Sequence, residues 1–202
     1  MIGLVEPIGG GLLYQIKMTL MYSDPAIWRR IVVPAGIKLN RLHDVIQRVM
    51  PWTNSHLHHF IIGERRKRGS ELRYYGLVNL DFADPDDKTL NEKKFTLADL
   101  APDTKAKITY EYDFGDGWEH EIVVEKILPL DAGFKHVACL AGENACPPDD
   151  CGGIGGYYNM LEILGDPDAP DHDQLKEWIG GKWDPAYFDL KAANAALKKL
   201  KV

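Results

Sequence analysis

The sequence is short of serine. Its 202 residues include three, Ser23, Ser55 and Ser70, and none stands among clustered arginines that would activate it toward a phosphate. Cysteine is equally scarce. Three thiols, an odd number, do not make a disulfide framework, so they read as free thiols, buried fillers or metal ligands. Positive charge is in deficit: 24 Lys and Arg against 30 Asp and Glu leave a net charge of −6, which argues against a broad phosphate-binding surface. No apolar run approaches membrane-spanning length, so no membrane partner is expected. Residues 1–13 lack a basic stretch, and Glu6, Pro7 and Gly9-Gly10-Gly11 interrupt them. They read as a flexible lead-in rather than a signal peptide, with the cytoplasm as the expected location.

What is present is centred on Tyr110 to Glu121, Tyr-Glu-Tyr-Asp-Phe-Gly-Asp-Gly-Trp-Glu-His-Glu. Two alternating runs flank a Gly-Asp-Gly turn, a β-hairpin pattern. A two-residue loop would put Tyr110, Tyr112 and Phe114 on one face with Glu119 and Glu121. A three-residue loop, Gly115 to Gly117, puts them with Trp118, His120, Ile122 and Val124 instead, and leaves Glu111, Asp113, Glu119, Glu121 and Glu125 on the other face. A one-residue slip exchanges faces, so the hydrophobic pattern selects the three-residue loop. The result is an aromatic face containing His120 and a ladder of carboxylates that needs positive partners. Arg29, Arg30, Lys17 and Arg73 are available.

The flanking elements follow from periodicity. Tyr14 to Tyr22 and Ile27 to Val33 read as strands, and Leu39 to Met50 as an amphipathic helix with Asn40 as a possible N-cap. His56 to Ile62 is a third strand, with His56 and His58 on one face. Gly63 to Gly69 is a basic turn, Leu72 to Tyr75 a short return strand, and Asp81 to Asn91 a polar loop. Thr96 to Asp99 forms a capping box. Pro129 to Gly156 reads as irregular, followed by short helices at Tyr157 to Leu164 and Leu175 to Ile179, and a last one capped by Asp189. Trp178, Trp183, Tyr187 and Phe188 read as docking residues for these helices. The expectation is α+β: a largely antiparallel or mixed sheet with helices packed on it, one domain over residues 14–202.

Several constellations carry candidate chemistry. Cys139, Cys146 and Cys151 crowd one Gly-Pro-rich stretch, where small buried thiols are the favoured reading and a zinc site, with zinc as the candidate cofactor, the alternative. The spacings are not those of zinc knuckles. His56 and His58, two apart on a strand, would present imidazoles to a metal or phosphate, or else pair with the hairpin carboxylates. Asp113, Asp116 and His120 suit cation binding or acid–base work, although alternation separates Asp113 from His120. Arg65, Arg66, Lys67 and Arg68 would meet phosphates or an acidic partner, or form an exposed tip. Gly152 to Gly156 precedes a helix and would suit an anion, but no strand precedes it and no Lys-Ser/Thr follows it.

Trp28-Arg29-Arg30, Leu42-His43, His56-Leu57-His58, the Tyr112-to-His120 run and Cys146-Pro-Pro-Asp-Asp-Cys-Gly-Gly stand in an order that resembles the plasmid pRiA4b ORF-3-like proteins. The likeness covers about Tyr14 to Leu197. One departure is Asp149, where that family typically has Glu. The resemblance implies association with plasmids and mobile elements; some members bear a TnpR-type resolvase label, which the serine inventory does not support. No complete set of nucleophile, base and oxyanion donors is present. The reading is therefore a non-catalytic binding or accessory module with a protein or small-molecule ligand favoured. The alternatives are a metal-dependent hydrolase or nuclease, and a DNA-binding or recombination accessory protein.

Overall fold

The structure, a computed structural model, describes residues 11–63, 65, 69–78, 88–130, 133–180 and 183–200. Among them, eight strands form one mixed sheet, and five helices complete a single α+β domain. The strands are β1 (Leu12–Leu20), β2 (Trp28–Pro34), β3 (His58–Ile62), β4 (Arg73–Gly76), β5 (Leu90–Asn91), β6 (Lys107–Tyr112), β7 (Trp118–Pro129) and β8 (Ala138–Glu143). Their order across the sheet is β5-β4-β3-β6-β7-β1-β2-β8. All neighbours are antiparallel except β4 and β5. The helices are α1 (Leu39–Val49), α2 (Leu97–Leu100), α3 (Gly153–Gly165), α4 (His172–Trp178) and α5 (Leu190–Leu197), with a 3-10 turn at Glu92–Lys94.

Alternation builds one buried face. Tyr14, Ile16, Met18 and Leu20 of β1 join Ile31 and Val33 of β2, Tyr110 and Tyr112 of β6, and Trp118, His120, Ile122 and Val124 of β7. α1 lays Leu39, Leu42, Val45, Ile46 and Val49 on this face, as its apolar stripe requires. No side chain caps α1, whose N-cap is Lys38 and not Asn40. The Thr96–Asp99 capping box forms with both of its hydrogen bonds, and Asp189 caps α5 by accepting from the Ala192 amide. α5 packs between α1 and β8.

Four further expectations are corrected. The lead-in is shorter at its described end: β1 begins at Leu12, where pairing with Pro129 extends the sheet; residues 1–10 lie outside the described residues. The hairpin loop has five residues, not three, because Tyr112 pairs with Trp118. The shift is two residues, so the face assignment of Tyr110, Tyr112, Trp118 and His120 is unchanged, but Phe114 leaves the aromatic face and is half exposed. The stretch 129–156 contains a strand, β8, paired to β2. Of the C-terminal aromatics, Trp183 and Phe188 pack on the core, whereas Trp178 and Tyr187 are exposed. Asp81 to Asp87 of the polar loop lies outside the described residues. No helix among the described residues is long and apolar enough to cross a membrane.

Candidate metal centre

The centre forms where three loops meet at one end of the β6–β7 hairpin. The first follows α1. Trp52 is buried and its Nε1 donates to the Pro147 carbonyl at 3.0 Å. Gln47 Oε1 accepts from the Asn54 amide, and the Ser55 amide donates to the Tyr112 hydroxyl at 3.2 Å. These contacts deliver His56 to the hairpin end, outside β3.

The second loop is the hairpin turn. Asp113 leaves the β6 ladder in a left-handed conformation, φ 57°. Short polar side chains tolerate that region because they bond their own backbone. Its Oδ1 accepts from the amides of Gly115 (3.0 Å) and Asp116 (3.3 Å), and its carbonyl accepts from Gly117 at 2.6 Å. Asp113 is therefore buried at a turn and is not part of the carboxylate ladder. Its other oxygen, Oδ2, faces His56 Nε2 at 3.5 Å.

The third loop is Cys146 to Gly153. Asp149 Oδ2 accepts from the Thr53 amide (2.9 Å) and hydroxyl (2.6 Å), clamping this loop to the first. Asp116 Oδ2 accepts from the Gly152 amide at 3.1 Å, so the anion at this glycine run is the protein's own carboxylate. Gly153 is required here: at φ 67° a Cβ would lie 2.3 Å from the Asp116 carbonyl oxygen. Asp150, also left-handed at φ 60°, brings its Oδ1 within 3.0 Å of His56 Nε2.

His56, Asp113 and Asp150 thus offer one ligand atom each, all within 4.8 Å of one another. No other such grouping of three or more His, Cys, Asp or Glu occurs among the described residues. The His56 Nε2 contacts are close in distance but off-axis, so this buried nitrogen makes no well-formed hydrogen bond, and Asp149 Oδ1 is likewise buried without a partner. His56 Nε2 is thus near both carboxylates without a well-formed hydrogen bond to either, Asp113 is buried and Asp150 is exposed to solvent. One imidazole and two carboxylates suit a divalent ion such as Mn²⁺ or Zn²⁺.

The other candidate residues lie elsewhere. His58 is buried on the core face, where Nε2 meets Glu92 Oε2 at 2.8 Å and the ring stacks on His43 at 3.4 Å. His120 is fully buried. Its Nδ1 faces the Trp118 and Tyr110 carbonyls at 3.1 and 3.4 Å, so Nδ1 is the donor, and burial pulls its pKa down to about 4. Cys139 lies in β8, Cys146 after it and Cys151 before α3. Burial raises all three thiols, Cys151 to about 12, with the Asp116 charge adding to the rise.

The carboxylate ladder is met by cations. Arg30 grips Glu125 with Nε at 2.6 Å and Nη2 at 2.9 Å, and Gln15 adds a bond at 2.8 Å. The Arg30 bond is the main cause that holds Glu125 at about 2. Lys107 pairs with Glu121, and Arg65 bridges Glu111 and Glu119. Arg29 is on the opposite, buried face. Arg66, Lys67 and Arg68 lie outside the described residues.

The profile of the family described as "Plasmid pRiA4b ORF-3-like protein" matches residues 12–192. The chain belongs to this family. A similar relative is the uncharacterized protein y4hQ of Sinorhizobium fredii (strain NBRC 101917 / NGR234), 37% identical over 188 residues, 92% of this chain and 91% of the relative. Among solved structures, the protein of unknown function MM3350 from Methanosarcina mazei Go1 superposes with a TM-score of 0.78 at 36% identity, covering 90% of this chain and 97% of that one. The motifs that point to the pRiA4b ORF-3-like family supply all three loops of the centre. Asp149 and Asp150 carry no candidate site role in the sequence pattern, where the neighbouring cysteines are the more evident metal ligands. The available signal was two adjacent carboxylates held between Pro147-Pro148 and Gly152-Gly153.

Proposed function

We propose that this pRiA4b ORF-3-like protein is a binding module that takes a divalent cation at His56, Asp113 and Asp150. The observation behind this reading is the convergence of three donor atoms within 4.8 Å, one of them a buried imidazole nitrogen without a well-formed hydrogen bond. The ion would tie together loops that are far apart in sequence and leave coordination positions open to a protein or small-molecule ligand. An accessory role on mobile elements, in the cytoplasm, agrees with family membership and with three free thiols. Zinc at the cysteines is the less supported alternative, because the gathered donor set contains no sulfur. DNA binding also has less support, since Arg65 is engaged by Glu111 and Glu119.

A hydrolytic version rests on one further observation, the unpartnered buried oxygen of Asp149. A carboxylate adjacent in sequence to a cation ligand has the chemistry of a general base for metal-bound water.

Calorimetric titration with Mn²⁺ and Zn²⁺ tests the binding. One equivalent is expected, and Asp150→Asn or His56→Gln should lower affinity by about tenfold or more. Absence of binding by the folded protein, or equal affinity in both variants, overturns the reading. Loss of binding in Cys151→Ser with Asp150→Asn unaffected would move the ion to the cysteine stretch. With metal bound, hydrolysis of a generic phosphodiester that Asp149→Asn abolishes would favour the enzyme.

A further inference from the structure

Arg29 is a buried cation without a carboxylate partner among the described residues. It lies on the core face of β2 and is 1% exposed. Nε donates to the Val49 carbonyl at 2.9 Å, and Nη1 donates to the Trp28 and Glu143 carbonyls at 2.8 Å each. These bonds join β2 to the ends of α1 and β8. All three acceptors are neutral, and Nη2 has no hydrogen-bonding partner among the described residues. The Phe188 ring stacks on the guanidinium, its centroid 3.9 Å from Cζ. Gly142, opposite Arg29 on β8, makes that stack possible: a Cβ there would lie 2.6 Å from Phe188 Cε1 and 2.8 Å from Arg29 Cδ. The carbonyls explain how the guanidinium is held, but they do not neutralise it, and an uncompensated buried charge is costly.

Arg29 lines a half-open cavity of about 380 Å³ between the end of α1, the segment after β8 and α5. Its walls are almost wholly apolar, with Val49, Pro51, Trp183, Phe188 and Ala193 among them. Arg48 and Asp189 also border it, and Asp189 Oδ1 is occupied by the Ala192 amide. Two cations and one carboxylate leave a single net positive charge. None of His56, Asp113 or Asp150 lines this cavity.

We propose that the cavity binds a small organic monocarboxylate with a flat apolar body, its carboxylate received by Arg29 and its body lying along Phe188, Trp183 and α5. The volume is that of an ordinary small-ligand site, apolar with one polar anchor. One guanidinium with Nε and Nη1 engaged offers a single positive charge and an Nη2 N–H for one carboxylate oxygen, which suits a monocarboxylate. A phosphate dianion would require more donors.

The test is an NMR titration at low ionic strength, without added metal, so that its outcome is independent of the His56 centre. Benzoate and 3-phenylpropanoate are the probes and benzamide is the neutral control. The expected result is saturable shifts of the Ala192, Ala193 and Ala196 amides with at least one carboxylate, and about tenfold weaker response to benzamide. Ala192→Leu, an exposed helical position bordering the cavity, fills the space with Arg29 in place and should abolish binding at an unchanged melting temperature. Arg29→Gln, where it folds, should do the same. No saturable shift with either carboxylate, equal response to benzamide, or binding retained in Ala192→Leu overturns the proposal.

Discussion

Asp113 divides two tasks between its two oxygens. Oδ1 holds the hairpin turn through the Gly115 and Asp116 amides, and Oδ2 faces His56. The two tasks are separable by substitution. Asp113→Asn keeps an acceptor for the turn and a side chain that tolerates left-handed backbone, so its urea unfolding midpoint should stay near wild type. Its cation affinity should fall about tenfold or more, since a charged ligand is lost. Asp113→Ala loses both, and should also cost about 1–3 kcal/mol in stability. Equal stability of the Ala and Asn variants would show that Oδ1 does not hold the turn. Alternation along β6 predicts this residue on the acidic ladder; a loop longer by two residues leaves the face pattern unchanged, so the turn chemistry that removes Asp113 has no signal in the alternation. The same limit separates His56 from His58. Period-two spacing put both on one face, yet the strand begins at His58, and His56 belongs to a loop directed by Tyr112 and Gln47.

At the scale of the element, the β6–β7 hairpin sets Glu111 directly opposite Glu119 on the polar face. Like charges in register oppose pairing, and Arg65 resolves this by bridging both, with His59 adding a contact to Glu111 at 2.7 Å. Arg65→Ala should destabilise the fold by about 1 kcal/mol, and added salt should recover part of the loss because it screens the Glu111–Glu119 repulsion that the variant leaves unbridged. Denaturation of wild type and variant at low and high salt measures both terms. A loss that grows with salt would contradict the account. The acidic ladder and its need for cations were legible in the sequence, with Arg30 among four candidate cations; that Arg30 takes Glu125, and that Arg29 turns to the buried face, is set by the tertiary fold. The bridging role of Arg65 was not, because a turn residue carries no periodicity. β8 was illegible for a related reason: Ala-Cys-Leu-Ala-Gly-Glu lacks β-branched alternation, and pairing to β2 makes it a strand.

Over the whole molecule, the family motifs and strand patterns made the α+β class readable, whereas the candidate centre draws on segments near residues 53–56, 113–116 and 149–153 that only the tertiary fold unites. The same burial gives the fold a pH dependence of definite sign. His120 and His43 are held near a pKa of about 4 in the folded state, against an ordinary value of 6.5. Burial is the main cause for both. For His120 the Tyr110 and Trp118 carbonyls offset part of the burial effect and Arg29 adds a smaller repulsion of the charged form; for His43, His58 repels the charged form, partly offset by Asn54, Glu92 and Asp44. Unfolded, each protonates near 6.5, so between about 6.5 and 4 the unfolded chain binds more protons and stability falls as pH falls. Above 6.5 the contribution is complete and flat. Glu125, held at about 2, and Glu111, also lowered, act with the same sign in a window that starts below their ordinary 4.5. The urea midpoint should therefore be level from pH 8 to about 7 and decline steadily toward pH 4, with each histidine contributing on the order of 3 kcal/mol across the window. His120→Gln cannot titrate. Whatever its stability at neutral pH, its decline between pH 6.5 and 4 should be roughly half that of wild type. A wild-type midpoint insensitive to pH in this window, or an undiminished slope in the variant, would show that these histidines are not held neutral by burial.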